Sequence, residues 1–133
     1  MAGGAEPGGY AWTLTSAVAS GAGIARYSGV DTTAPLDASA ATATGAAATS
    51  ATLAGVTTAS PNAMLVGCVG INSSSTAVSI AAPAGMSEAW DVSGKRTELD
   101  DAPQATPGAS GPRTWTFSSA REWAGWLVAL RPV

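Results

Sequence analysis

Histidine is absent from the 133 residues, and cysteine and lysine occur once each, as Cys68 and Lys95. Without histidine the chain lacks the commonest metal ligand and the usual general base at neutral pH. A serine triad of the ordinary kind is excluded on the same ground. A Ser–Lys pair would need Lys95, which the surrounding Ser93-Gly-Lys-Arg96 places in a hairpin-like turn. One cysteine permits no intrachain disulfide. Cys68 lies in the apolar run Met64-Leu-Val-Gly-Cys-Val-Gly-Ile71 and reads as a small core residue.

Charge is scarce as well. Charged residues make up 11% of the chain, against roughly 25% in typical domains. The net charge is −3 and no basic stripe exists, which excludes a nucleic-acid binder. Solubility must rest on Thr, Ser, Gly and Ala. No run approaches the roughly 18 apolar residues of a membrane helix, so no membrane insertion is expected. The start, Met-Ala-Gly-Gly-Ala-Glu-Pro7, lacks the basic region and apolar segment of a signal peptide, although a longer parent chain could carry one. No Gly-rich loop opens a helix, so a phosphate cradle is not supported, and no cofactor is expected.

What remains is a strand pattern. The most apolar stretch is Glu122-Trp-Ala-Gly-Trp-Leu-Val-Ala-Leu-Arg-Pro132. Trp123, Gly125, Leu127 and Ala129 fall on one side of an extended chain, and Ala124, Trp126, Val128 and Leu130 on the other. Both sides are apolar, which predicts a strand inside a sheet. Gly125, the two tryptophans and Pro132 oppose the rival helix. Asn62–Ile71 shows the same two-sided pattern and predicts the other central strand.

The remaining strands are shorter. Residues 1–9 read as a flexible lead, and 10–133 as one domain. Tyr10-Ala-Trp-Thr-Leu14 alternates and predicts a half-buried strand. Gly23–Ser28 reads as a second. Residues 32–60 predict a long connection with one short strand near Leu53–Thr58, or else a disordered linker. Ala77–Ala82 has Val78 and Ile80 inward, and Pro83-Ala-Gly85 turns it. Met86–Val92 presents Met86, Glu88, Trp90 and Val92 on one face. Thr97–Gln104 reads as an edge strand blunted by Glu98, Asp100, Asp101 and Pro103. Pro107–Pro112 reads as an exposed loop. Arg113–Phe117 alternates with Trp115 and Phe117 inward, and Ser118–Arg121 is expected to turn into the last strand. The sum is an all-β chain, an antiparallel β-sandwich of jelly-roll or immunoglobulin-like order.

Candidate sites are few. Asp31 and Asp37 flank Pro35, where turn chemistry is the plainer reading and a calcium loop the sharper one. Glu98, Asp100 and Asp101 form the densest carboxylate cluster. It reads as a solvated edge, with paired catalytic carboxylates or a metal site as the sharper alternative. Asn72-Ser73-Ser74 matches a glycosylation sequon, a pattern common by chance. Trp12, Trp115, Trp123 and Trp126 sit at strand positions and read as core. Trp90, between Glu88 and Asp91, is the aromatic left for a ligand. Arg96 and Arg113 lie near loops and could accept a carboxylate partner.

Several pieces occur together: Glu6-Pro7, Tyr10-Ala-Trp-Thr-Leu14, Tyr27-Ser-Gly-Val-Asp31, Pro35-Leu-Asp37, Ala63-Met-Leu-Val-Gly67, Pro83-Ala-Gly-Met86, Trp90-Asp91 and Leu127-Val-Ala-Leu-Arg-Pro132. In that order, over nearly the whole chain, they resemble a β-sandwich module of actinobacterial secreted and phage-encoded structural or adhesion proteins. The resemblance implies an accessory or adhesive sandwich without catalytic residues. In that family further strands usually precede the Trp-Thr-Leu strand. Either this is a shorter, self-sufficient sandwich, or a neighbouring chain supplies the missing edge, which points to an oligomer.

Two functions are therefore expected. The first is a non-enzymatic virion protein, a small decoration or accessory protein on an actinobacteriophage capsid or tail. Its partners would be copies of itself or the major capsid or tail protein. The second is a carbohydrate-binding or adhesion module of a secreted, extracellular protein or of a tail fibre, which would meet a cell-surface glycan. An enzyme is a distant third.

Overall fold

A computed structural model of the chain describes residues 7–16, 20–72, 78–92 and 96–133. The fold is all-β, with two antiparallel sheets. Eight strands occur in the described residues: β1 (Ala41–Leu53), β2 (Thr57–Thr58), β3 (Ala63–Ile71), β4 (Ile80–Ala81), β5 (Ser87–Asp91), β6 (Thr97–Gln104), β7 (Gly108–Ala109) and β8 (Arg113–Leu130). The main sheet runs β1-β8-β3-β6-β5, with β4 paired to β8. The small sheet is β2 with β7.

β8 is the longest element, at 18 residues, and its two halves have different neighbours. The second half pairs with β3 from Ile71↔Trp123 to Met64↔Leu130. The first half pairs with β4 at Ile80↔Phe117 and Ala81↔Thr116. β1 accompanies both halves, with register shifts between Gly45, Ala48 and Ser50. Ser118–Arg121 therefore does not turn. β1 stays paired on either side of it, so the chain bends through an irregularity and does not reverse. The bend folds the first half over the sheet. Trp115 comes to rest on Gly67 of β3, where an added Cβ would lie 2.8 Å from the indole.

The core lies between these layers. Leu53, Leu65, Val69, Val78, Ile80, Trp115, Phe117 and Leu127 are all buried there. β3 is apolar on both faces, as its pattern predicts. Its other face carries Val66 and Cys68, packed with Leu99 and partly covered by Ala25 and Tyr27.

Several expectations are corrected. Residues 32–60 are not a connection or a linker. Ala41–Leu53 is a strand of 13 residues. Helix propensity of its alanines loses to pairing with β8, and the small side chains make room for tryptophan. Trp123 lies directly where a Cβ on Gly45 would be. Thr97–Gln104 is not an edge, because β6 lies between β3 and β5. Pro107–Pro112 contributes β7. Gly23–Ser28 is not a strand but crosses the outer face of the main sheet. Tyr10–Leu14 belongs to no strand, with Trp12 62% and Leu14 53% exposed. Trp126, expected in the core, is 37% exposed. Residues 93–95 with Lys95, residues 1–6, and Ser73 and Ser74 of the sequon lie outside the described residues.

The segment before β1 follows β8 to its end. Leu36 bridges Leu130 and Val30 bridges Pro132. Asp31 N–H donates to the Arg131 carbonyl at 2.8 Å, and Asp37 N–H to that of Ala129 at 2.8 Å. Tyr27–Asp31, Pro35–Asp37 and Leu127–Pro132 thus meet in one place.

Candidate functional site

The carboxylates that read as a solvated edge are buried. Glu98 and Asp100 are both 0% exposed. Strand alternation explains this. Glu98 pairs across from Val69 and Asp100 from Gly67, so both point to the core side of β6. β5 adds Glu88 opposite Asp100 and Asp91 opposite Glu98. Gly67 leaves the space that Trp115 fills, and the Trp115 Nε1–H donates to Asp100 Oδ2 at 2.5 Å. Burial pushes the Asp100 carboxyl up from 3.8 to about 6. The hydrogen bond from Trp115 opposes the rise, the charge of Glu88 adds to it, and a hydrogen bond with the Glu98 carboxyl opposes it.

A carboxyl near 6 has the acidity of a general acid. With no exposed surface, this one cannot meet a substrate unless strands separate. Its observed work is to tie the folded-over half of β8 to β6. Asp101, on the opposite face, accepts the Tyr27 hydroxyl at 2.8 Å and so anchors the crossing segment. Burial, then Asp101, raises the Tyr27 phenol above its ordinary value. No group of three or more His, Cys, Asp or Glu that could hold a metal occurs among the described residues.

Asp31 bears out turn chemistry. Its Oδ1 accepts Thr33 N–H at 2.8 Å, Thr33 Oγ1–H at 2.7 Å and Ala34 N–H at 3.2 Å. Asp37 does something less local. Oδ2 accepts Ala59 N–H at 2.7 Å and Ser60 N–H at 3.0 Å, while Oδ1 accepts Ser60 Oγ–H at 2.6 Å and Arg131 Nε–H at 3.2 Å. The Ser60 hydroxyl leads the interactions that hold its carboxyl down at about 2. This is a knot between the end of β8 and the β2–β3 connection.

The three ligand candidates are not brought together. Trp90 lies under Gly23, where an added Cβ would be 2.6 Å from the indole, so the crossing segment partly covers it. The Arg96 carbonyl accepts Ile71 N–H at 2.7 Å beside the end of β3. Arg113 opposes Leu53 at the far end of β1 and donates from Nη1 to the Pro112 carbonyl at 3.3 Å.

The open surface is elsewhere. A groove of about 560 Å³ runs over the outer face of the main sheet, lined by Thr42, Thr44, Cys68, Thr97, Ala124 and Trp126 among others, none of them charged. Trp126 also lines a second groove of about 350 Å³ beside the crossing segment. Burial pushes the Cys68 thiol at the groove floor up to about 11, with Asp100 and Glu98 adding to the effect. β1 borders this groove and is a terminal strand of the sheet. It carries no charge and no proline over its whole length. The other terminal strand, β5, carries Glu88 and Asp91 and an irregularity between Glu88 and Trp90. One edge is blunted by charge; β1 has irregularities between Gly45, Ala48 and Ser50 but no charge, and its Ala41–Gly45 stretch is regular. Sequence reasoning missed the β1 edge because small residues carry no periodic apolar signal. Its lack of any charge was the available clue.

Compared with protein-family models, curated proteins and solved structures, the chain matches none. No helix of the described residues is long and apolar enough to cross a membrane.

Proposed function

We propose that this chain is a non-enzymatic structural protein of a phage virion, a small decoration or accessory protein on the capsid or tail surface. The observation that carries the reading is the β1 edge, uncharged over 13 residues and bordering an uncharged groove. Such an edge offers backbone N–H and C=O groups for strand addition, and few ions need desolvating when it is covered. The resemblance to actinobacterial secreted and phage-encoded modules points the same way. The buried acids support a structural protein, since they serve packing. A two-layer sandwich of jelly-roll or immunoglobulin-like order suits the bend of β8, which sets its halves on either side of the core. Copies of the chain, or the major capsid or tail protein, are the partners. Sedimentation with capsid or tail shells tests this. Co-sedimentation at a stoichiometry set by the shell lattice is expected, and a chain that stays in the supernatant sinks it.

A second reading rests on Trp126. A half-exposed indole flanked by Thr42, Thr44 and Thr97 is a platform for a neutral glycan. The aromatic for that module is Trp126, not the partly covered Trp90. Saturable quenching of tryptophan fluorescence by a cell-wall oligosaccharide, abolished by Trp126→Ala, would favour it.

A further inference from the structure

Two features of this chain complement each other. β1 presents Ala41-Thr-Ala-Thr-Gly45 as a regular stretch of uncharged edge, paired on one side to Leu127–Trp123. Tyr10-Ala-Trp-Thr-Leu14 has the alternation of a half-buried strand and equals that stretch in length, yet it belongs to no strand of the structure. Tyr10, Trp12 and Leu14 are 49%, 62% and 53% exposed. We infer that Tyr10–Leu14 of one copy adds as a strand to the β1 edge of a second copy, and that reciprocal exchange closes a homo-oligomer.

Side-chain direction favours this pairing. Thr42 and Thr44 point to the outer face, and Trp126 is the direct cross-strand neighbour of Thr42. A strand added outside β1 with Trp12 opposite Thr42 or Thr44, one residue out of full overlap with Ala41–Gly45, sets Tyr10, Trp12 and Leu14 on that face and continues the row. Trp12 then lies two strands from Trp126, over the uncharged groove. Ala11 and Thr13 then point the other way, on the face of Ala41 and Ala43.

A second copy is favoured over the chain's own edge by reach. The Gly21 carbonyl is held by Thr97 Oγ1–H at 3.5 Å, so the chain is anchored on β6 there. From β6 across β3, β8 and β1 to a new strand is four steps, about 19 Å in all. The link from Leu14 to Gly21 spans about 23 Å only when fully extended. It would also have to climb over Trp126, and the chain bends at residues 15 and 16. Docking on the chain's own edge leaves only about 4 Å for that climb and the bend, whereas docking on a neighbour does not require the link to cross the sheet. Exchange of identical segments leaves no free β1 edge in a closed ring or dimer.

The inference rests on the assembly reading and names its partner. Two full-length variants test it by sedimentation and native mass spectrometry. Trp12→Asp with Leu14→Asp breaks the segment and keeps the edge. Thr42→Lys with Thr44→Lys breaks the edge and keeps the segment. All four positions are exposed, so circular dichroism of both should match the native chain. The native chain is expected to be oligomeric and each variant monomeric. Their equimolar mixture is expected to form a heterodimer, because one intact segment meets one intact edge. A native monomer, an oligomer that survives either variant, or a mixture that stays monomeric would overturn the inference. A native monomer that still binds a shell overturns strand exchange and leaves the virion reading standing. An oligomer with the complementing variants that ignores every shell sinks the virion reading and leaves strand exchange standing.

Discussion

Asp100→Asn should remove most of the pH dependence of stability on the neutral side. In the folded chain burial lifts the Asp100 carboxyl from 3.8 to about 6. Between those values the native state holds a proton that the unfolded chain has released. Stability therefore falls as pH rises through that window, and is fully present only below the unfolded value. The groups facing Asp100 are Glu88 from β5, Glu98 on its own strand and the Trp115 indole from β8, with no cation among them to reverse the sign. A rise of that size corresponds to on the order of 3 kcal/mol lost between about pH 4 and pH 7. Asparagine keeps an oxygen for the Trp115 Nε1–H and turns an amide toward Glu98, so the fold survives while the titration disappears. Urea unfolding followed by tryptophan fluorescence across this range measures both chains. The native midpoint should drop with pH, and the Asp100→Asn midpoint should stay nearly level. A native midpoint that holds or rises, or an Asp100→Asn variant that keeps the native slope, would refute the assignment.

The acid limb should have the opposite sign. Asp37 is held down at about 2, so its contribution is present above 3.8 and is lost as pH falls through about 2. Asp37→Asn should flatten that limb in the same unfolding series. Trp115→Ala should cost about 3–5 kcal/mol, because the indole is wholly buried and its loss leaves a cavity over Gly67. Trp126→Ala should cost on the order of 1 kcal/mol, and thermal unfolding of the pair decides which tryptophan organises the core. Gly67→Ala should destabilise, since the new methyl overlaps the Trp115 ring, and an unchanged melting temperature would show that the ring has room to move. Cys68 should label slowly with a maleimide at neutral pH, because its thiol is buried and its ionisation is pushed up to about 11.

Much of the sheet was legible from period alone. Two-sided apolar runs marked β3 and the second half of β8 as interior strands, and they pair with each other. Val78 and Ile80 point inward as their alternation requires. The lone Cys68 is buried and unpaired, as its apolar neighbours imply. The local hydrogen bonds of Asp31 followed from its place before Thr and Pro. In each case the deciding interaction is carried by adjacent residues, and sequence records adjacency.

The rest depended on which strand lies beside which. Glu98 and Asp100 read as solvent-facing because charge ordinarily marks an edge. Placement of β5 outside β6, and of Trp115 over Gly67, buried them. Trp115 and Trp126 sit on one strand with similar neighbours but on opposite faces: Trp115 packs over Gly67 in the core, while Trp126 lies across from Cys68 on the outer face, and only the packed layers decide which face is covered. The Ala–Thr stretch of β1 had no apolar period to betray it, and it became a strand because β8 offers a ladder on either side of an irregularity at Gly45–Ser50. Tyr10–Leu14 shows the converse. Its alternation specifies a face to be covered, but a strand also needs a ladder, and among the described residues Tyr10–Leu14 is paired in no strand. Period is a property of the residues themselves, whereas burial, pairing and acidity belong to contacts between residues far apart in the chain, and only the tertiary structure sets those.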